Sequence, residues 1–184
     1  MNIETYTTKH LQLKKLTPDI FADIFTNFND DALALFLNLK TREAIAKERE
    51  RYTKGVYSPY KNLVWFHLIE TATNEIIGSC GFHTWYKDHS RAEIGYNIIE
   101  DANKQKGLMS EAVAFVLDYG FNTMQLNRVE AFVGPNNIPS LKIMSKFGFE
   151  KEGYCREHYC FDGVIDDSVL FALLKKNYLI ANSR

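Results

Sequence analysis

The chain has 184 residues, 46% hydrophobic and 14% aromatic, enough for one well-buried core and too few for two comfortable ones, so a single domain over residues 1–184 is expected. Its 22 basic and 23 acidic residues give a formal charge of -1, which argues against a dominant footprint for nucleic acid or an anionic membrane. Three cysteines without C-x-x-C spacing point to neither a disulfide framework nor a zinc site, and MNIETYTTKHLQLKKL has no apolar run of signal-peptide or membrane-span length, so a cytoplasmic protein is expected.

Leu11 and Leu13 alternate with polar neighbours and predict a first strand. Thr17-Pro18-Asp19 then supplies a cap, a proline at the first helical position and an acidic first turn for a helix whose Ile20, Phe21, Ile24, Phe25 and Phe28 share one face. Asp30 and Asp31 interrupt it. After the apolar piece ALALFLNL, Thr41 is the candidate cap of an exposed helix, TREAIAKERERYTKG, with Ala44, Ile45 and Tyr52 facing inward. LVWFHLIE, 63–70, is apolar on both faces, as a strand covered on both sides would be, and Thr73-Asn74 turns it into a returning strand, EIIGSCGFHTWY. Gly78 and Gly81 there mark a bulge or a close backbone approach. His67 and His83 sit on adjacent strands but lack a third ligand, so no metal is expected.

After the loop KDHSR comes the stretch on which the chain is centred, AEIGYNIIEDANKQKGLMSEAVAFVLDYGF. Ala92, Ile94, Tyr96 and Ile98 share one face of a strand and Glu93, Gly95, Asn97 and Ile99 the other, so a carboxylate sits mid-strand. A loop with Lys104, Lys106 and Gly107 leads into a largely buried helix carrying Leu108, Ala112, Phe115, Val116 and Tyr119, ending near Gly120. Helix N-termini present amides without intrahelical partners and partial positive charge, so this loop suits phosphate oxygens. It lacks the residues of both G-x-G-x-x-G and G-x-x-x-x-G-K-[ST], which sets dinucleotide and P-loop readings aside.

NRVEAFV is the next strand, and GPNNIPS opens a helix at Pro139 with Asn136, Asn137 and Ser140 beside it. That helix turns Leu141, Met144 and Phe147 inward and stops at Gly148. FEKEGYCREHYCF and VIDDSVLFALLK flank Asp162-Gly163, the clearest hairpin signal. The sum is an α+β domain: a central, mostly antiparallel twisted sheet of about seven strands, flanked by about four helices, with a parallel crossing between the strands on either side of the central helix.

This order, with AEIGY at 92–96, KQKGLMSEA at 104–112, PNNIPS at 135–140, KFGFEKEG at 146–153 and Asp167 in the last strand, resembles the GNAT superfamily of acetyl-CoA-dependent N-acetyltransferases, and within it the ribosomal-protein N-terminal acetyltransferase branch. The resemblance implies that Lys104, Gln105, Lys106, Gly107, Leu108 and Met109 wrap the pyrophosphate of acetyl-CoA. The family pattern is Gln or Arg, two residues, Gly, one residue, then Gly or Ala. Lys104 and Met109 depart from it, Gln105 stands where many relatives carry another glycine, and the preceding loop is one residue longer. The resemblance further implies that the Ile98 and Ile99 backbone pairs with the pantetheine arm and polarises the thioester carbonyl, and that Asn137 touches the arm or caps its helix.

A neutral amine must attack, and amines are protonated near neutrality, so a base is needed. By resemblance that base is Glu93, acting through water, against the alternative that it pairs with Arg91 or another cation. Ser140 matches the hydroxyl that assists the leaving thiol, with Tyr154 as substitute. Phe36, Trp85, Tyr86 and Tyr159 are candidates for the acceptor pocket or for core packing. Direct transfer of acetyl to a protein N-terminus or a small amine is the leading function. A non-catalytic acyl-CoA-binding or regulatory module is the alternative, and a homodimer through the late strands is compatible with the residues but not required by them.

Overall fold

The computed structural model describes residues 3–57, 62–161 and 163–182. The chain divides into two compact units, Met1–Thr84 with Tyr96–Ala112, and Trp85–Gly95 with Val113–Arg184.

The first unit is built on strands β1 (Thr5–Thr7), β2 (Leu11–Leu16), β3 (Val64–Glu70) and β4 (Ile76–Tyr86, up to Thr84 in this unit), each antiparallel to the next. Leu11, Leu13 and Leu16 are wholly buried, and in β3 Val64, Phe66, Leu68 and Ile69 are buried from both faces, as its unbroken apolar run predicts. Helix α1 (Pro18–Asn27) sends Phe21, Ile24 and Phe25 into a cluster with Leu16 and Leu33. Thr17 has the extended backbone of an N-cap but makes no side-chain cap bond, so Pro18 alone marks the start.

The aspartates that the sequence reads as an interruption instead open a helix, α2 (Asp30–Leu37). Asn29 accepts the Ala32 amide at 2.9 Å, and Asp30 and Asp31 lie in the first turn, where the helix dipole favours them. Helix α3 (Arg42–Thr53) is capped by Thr41, which accepts the Ala44 amide at 3.1 Å, and Ile45 and Tyr52 pack against the α1 cluster as expected.

Strand β5 (Arg91–Ile98) contributes its C-terminal half to the first unit, where it lies beside β4. Gly78 permits a close approach: a Cβ there would collide with the Asn97 carbonyl. Ile99 N donates to Ile77 O at 2.9 Å just beyond. Helix α4 (Leu108–Asp118) begins in this unit and continues into the second. Leu108, Ala112, Val113, Val116 and Leu117 are buried, and the helix runs on as a π turn over Tyr119–Thr123 instead of stopping at Gly120.

In the second unit the strand order is β5, β6 (Arg128–Val133), β8 (Val164–Leu174), β7 (Glu150–Phe161). Parallel pairing joins β5 to β6, antiparallel pairing the rest, which fits a connection through α4 between the first two. Helix α5 (Ile138–Lys146) ends before Gly148, at φ +71, the left-handed residue expected after a helix. Phe161 pairs with Val164, and Gly163 has φ +82; Asp162 of the predicted turn lies outside the described residues. A last helix, α6 (Lys175–Asn182), follows.

The described residues thus hold eight strands and six helices, where about seven and about four are expected. Three-residue β1 is too short for a periodic signal, α2 hides behind its aspartates, and α6 follows β8 with no turn residue between them. Among the described residues no helix is long and apolar enough to cross a membrane.

Candidate active site

The loop into α4 belongs to the first unit. A single 3-10 turn over Asp101–Asn103 is closed by Lys104 N donating to Asp101 O at 3.0 Å, and Lys104 Nζ pairs with Asp101 Oδ1 at 2.5 Å. Lys106 Nζ donates to Asn103 Oδ1 at 3.2 Å. Gln105 has φ +62 and Gly107 φ +82, so the chain reverses twice through the left-handed region before Leu108 anchors it in the core. Glu111 N makes a helical bond to Gly107 O at 3.0 Å, so the amides of Leu108, Met109 and Ser110 precede it and carry the helix's partial positive charge. These amides and the exposed Gly107, where a Cβ would meet nothing within 4 Å, fit a pyrophosphate.

Ile98 and Ile99 separate in role. The Ile99 amide is taken by Ile77 O, which removes it as a donor to a thioester. Amides alternate sides along a strand, so that of Ile98 points off the other edge of β5. The β5–β6 ladder pairs Arg91–Glu93 with Arg128–Glu130.

Glu93 lies in the second unit, half-buried in mid-strand. Burial pushes its carboxyl up to about 7; a hydrogen bond from Tyr159 works against this, and the charge of Glu130 adds to it. Tyr159 OH donates to Glu93 Oε1 at 3.3 Å, and Glu130 is the residue in register with Glu93 on β6. The expected Arg91 partner goes elsewhere. Arg91 Nη1 and Arg128 Nε bind the two oxygens of Glu130 at 2.6 and 2.7 Å, and Arg128 also forks onto Glu152. Of two carboxylates in register, Glu130 holds two guanidiniums and Glu93 accepts the Tyr159 phenol.

Ser140 is half-buried in the first turn of α5. Its amide donates at 3.2 Å to Asn137 Oδ1, so Asn137 does serve as the helix cap. Ser140 and Glu93 are not hydrogen-bonded to each other. Tyr154 OH donates to Asp167 at 2.7 Å, which ties up the substitute hydroxyl. Of the pocket candidates, Tyr159 meets Glu93, Tyr86 lies under the Arg91 guanidinium at 4.1 Å, Trp85 lies under Lys87 at 4.7 Å, and Phe36 packs on Phe28 at 5.7 Å.

Sequence reasoning missed Glu130, which the Arg128–Glu130 alternation in NRVEAFV could have put on the same face as Glu93, and the Tyr159 contact, which no periodicity signals. His67 and His83 do not form a pair: His67 faces Phe36 and is pushed down to about 4 by burial and Lys14, while His83 meets Thr84. Among the described residues no group of three or more His, Cys, Asp or Glu could hold a metal. Cys80, Cys155 and Cys160 are free thiols; Cys80 is buried, and its thiol is raised accordingly.

A family model described as an acetyltransferase (GNAT) domain matches residues 10–150, which include parts of both units. An uncharacterized N-acetyltransferase p20 from Bacillus licheniformis is 34% identical over 96% of this chain and 99% of its own. The [ribosomal protein uS5]-alanine N-acetyltransferase of Escherichia coli is 34% identical over 59% of this chain and 56% of its own. The solved spermidine/spermine N-acetyltransferase SpeG of Vibrio cholerae superposes with a TM-score of 0.67 over 94% of this chain and 96% of that one, at 21% identity, a likeness of fold alone.

Proposed function

Because the chain belongs to the GNAT acetyltransferase family and is an N-acetyltransferase, we propose that it moves acetyl from acetyl-CoA directly to the α-amine of a protein N-terminus, with Glu93 as general base. The observation that carries this reading is the place of Glu93, half-buried in mid-strand within reach of the Tyr159 hydroxyl, where burial pushes its carboxyl up to about 7. An α-ammonium has a pKa of about 7.7 to 8.0, so handing its proton to such a base is uphill by about one unit, or ~1.4 kcal/mol. A lysine-like or polyamine ammonium near 10.4 would be uphill by more than about three units, ~4 kcal/mol. The site therefore matches the weaker base.

Acetyl-CoA supplies the acyl group as a thioester. Lys104, Gln105, Lys106, Gly107, Leu108 and Met109 would hold its pyrophosphate through backbone amides, and by family resemblance Asn137 would touch the arm. The Ile98 amide is the donor offered to the carbonyl oxygen, worth several kcal/mol in acyl-transfer sites of this kind. Glu93 receives the amine proton, through water or directly, as the new C–N bond forms and the C–S bond breaks. The Ser140 hydroxyl would donate a hydrogen bond to the departing thiolate, which at a thiol pKa of about 8.5 needs only modest help and takes its proton from solvent.

The test compares kcat/KM at pH 8 for a peptide beginning with alanine or serine, the same peptide with a blocked N-terminus and one free lysine, and spermidine. At least tenfold preference for the free N-terminus is expected. Equal or better turnover of spermidine would overturn the acceptor and leave the enzyme class standing.

A further inference from the structure

We propose that Tyr159 is a positioning residue for Glu93, aimed at it by a three-residue bulge in β7 that the Asp167 carboxylate fixes in place; this rests on the reading of Glu93 as the base. In the β7–β8 ladder Cys155 pairs with Ser168 and Tyr159 with Asp166, so Arg156, Glu157 and His158 stand against Asp167 alone. Glu157 sits at φ +51, a conformation that a non-glycine residue holds only when its surroundings fix it.

The fixing groups are present. Asp167 Oδ1 accepts the Glu157 amide at 2.7 Å and its Oδ2 accepts the Tyr154 hydroxyl at 2.7 Å. His158 Nδ1 lies 2.6 Å from the hydroxyl of buried Ser168. Two extra residues are taken up, which draws everything beyond the bulge back by about 7 Å along the ladder. In an unbulged ladder Glu157 would oppose Asp166 and occupy the place of Tyr159. A third carboxylate would then join Glu93 and Glu130. With the bulge, a neutral donor reaches Glu93 Oε1 at 3.3 Å instead.

The charged and titratable groups around Glu93 include Arg91 on its own strand, Glu130 and Arg128 on β6, and Tyr159 on β7, which itself feels Cys155. Burial, with Glu93 beside it, pushes the Tyr159 phenol up to about 12, so it remains a donor throughout the working range. The two guanidiniums are spent on Glu130. The Tyr159 phenol opposes burial and favours the ionised carboxylate of Glu93.

The test is a carboxyl-carbon NMR titration of Glu93, assigned by its loss in Glu93→Gln, alongside the pH profile of kcat for the peptide acceptor. In Tyr159→Phe the Glu93 titration is expected to move up by about half to one pH unit. The rate at pH 6 should fall about three- to tenfold while the rate at pH 9 matches the parent. Asp167→Ala should produce the same upward move with the tyrosine still present, and the double variant should move no further than either single one. An unmoved titration in Tyr159→Phe, the smaller and safer change, overturns the inference. So does a double variant whose shifts add. A titration that moves while the acid limb of kcat stays put supports the contact and removes Glu93 as the base.

Discussion

Two glutamates, one in each unit, show how a fold moves the same side chain below or above its ordinary range. Glu111, in the first turn of α4, accepts Thr8 Oγ1 at 2.6 Å and the His10 amide at 2.7 Å, with His10 Nδ1 at 2.7 Å from its other oxygen. Burial acts to raise its carboxyl, but these bonds outweigh it and hold it below the ordinary range. Glu93 accepts the Tyr159 hydroxyl at 3.3 Å, and there burial wins. Glu93 is the more deeply buried of the two, and Glu111 is held by three short contacts, so depth and donors both set the outcome.

Exchanging each carboxylate for its amide breaks the comparison most sharply. Glu93→Gln removes the proton acceptor and keeps the shape, so kcat is expected to fall about 10²- to 10⁴-fold, with acetyl-CoA affinity by calorimetry unchanged. Unchanged turnover would return Glu93 to the role of an ordinary strand residue. Glu111→Gln should leave kcat near the parent and lower stability by about 1 to 2 kcal/mol, because a charge-assisted set of bonds is weakened. Thermal melting reads this directly, and a selective loss of kcat with no change in melting would reverse the assignment.

The pH dependence of these two variants should have opposite signs. The folded carboxyl of Glu111 is depressed, so its stabilisation is present above the unfolded value near 4.5 and disappears as pH falls through the folded value. The Glu111→Gln deficit should therefore close in acid. The folded carboxyl of Glu93 is raised, so its effect on stability is neutral below about 4.5 and turns unfavourable as pH climbs to about 7. Glu93→Gln should thus melt higher than the parent at pH 8, by on the order of 1 kcal/mol once solvent screening is allowed for, and equally at pH 4.

How much of this was legible follows from which signals are local. Strand parity was enough to set Glu93 in mid-strand on the face opposite Ala92 and Ile94, and helix-end chemistry was enough to find the loop before α4. Asn29 and the two aspartates after it carried a helix start, but read as a break because charged pairs serve both purposes. The Glu93–Tyr159 contact joins residues far apart in sequence and depends on a bulge, and bulges leave no periodic trace. The fate of Ile99 was equally hidden, since only the register beside Ile77 decides which amide is taken.

The smallest expected effects lie in the loop, where the sequence departs from its family and the backbone explains the cost. At φ +82 Gly107 occupies a conformation that a Cβ strains even in open space, so Gly107→Ala should weaken acetyl-CoA binding severalfold by about 1 kcal/mol of backbone cost. Gln105 already bears such a cost at φ +62. Gln105→Gly removes the strain from the folded loop but also frees the unfolded chain, and the two changes oppose each other. The net gain is expected to be a few tenths of a kcal/mol at most. It should appear as slightly tighter acetyl-CoA binding with kcat unaltered, because the side chain is exposed and the loop's proposed contacts are backbone amides. Weaker binding in Gln105→Gly would mean that the amide side chain itself contacts the ligand, making residue 105 a recognition residue instead of a tolerated strain.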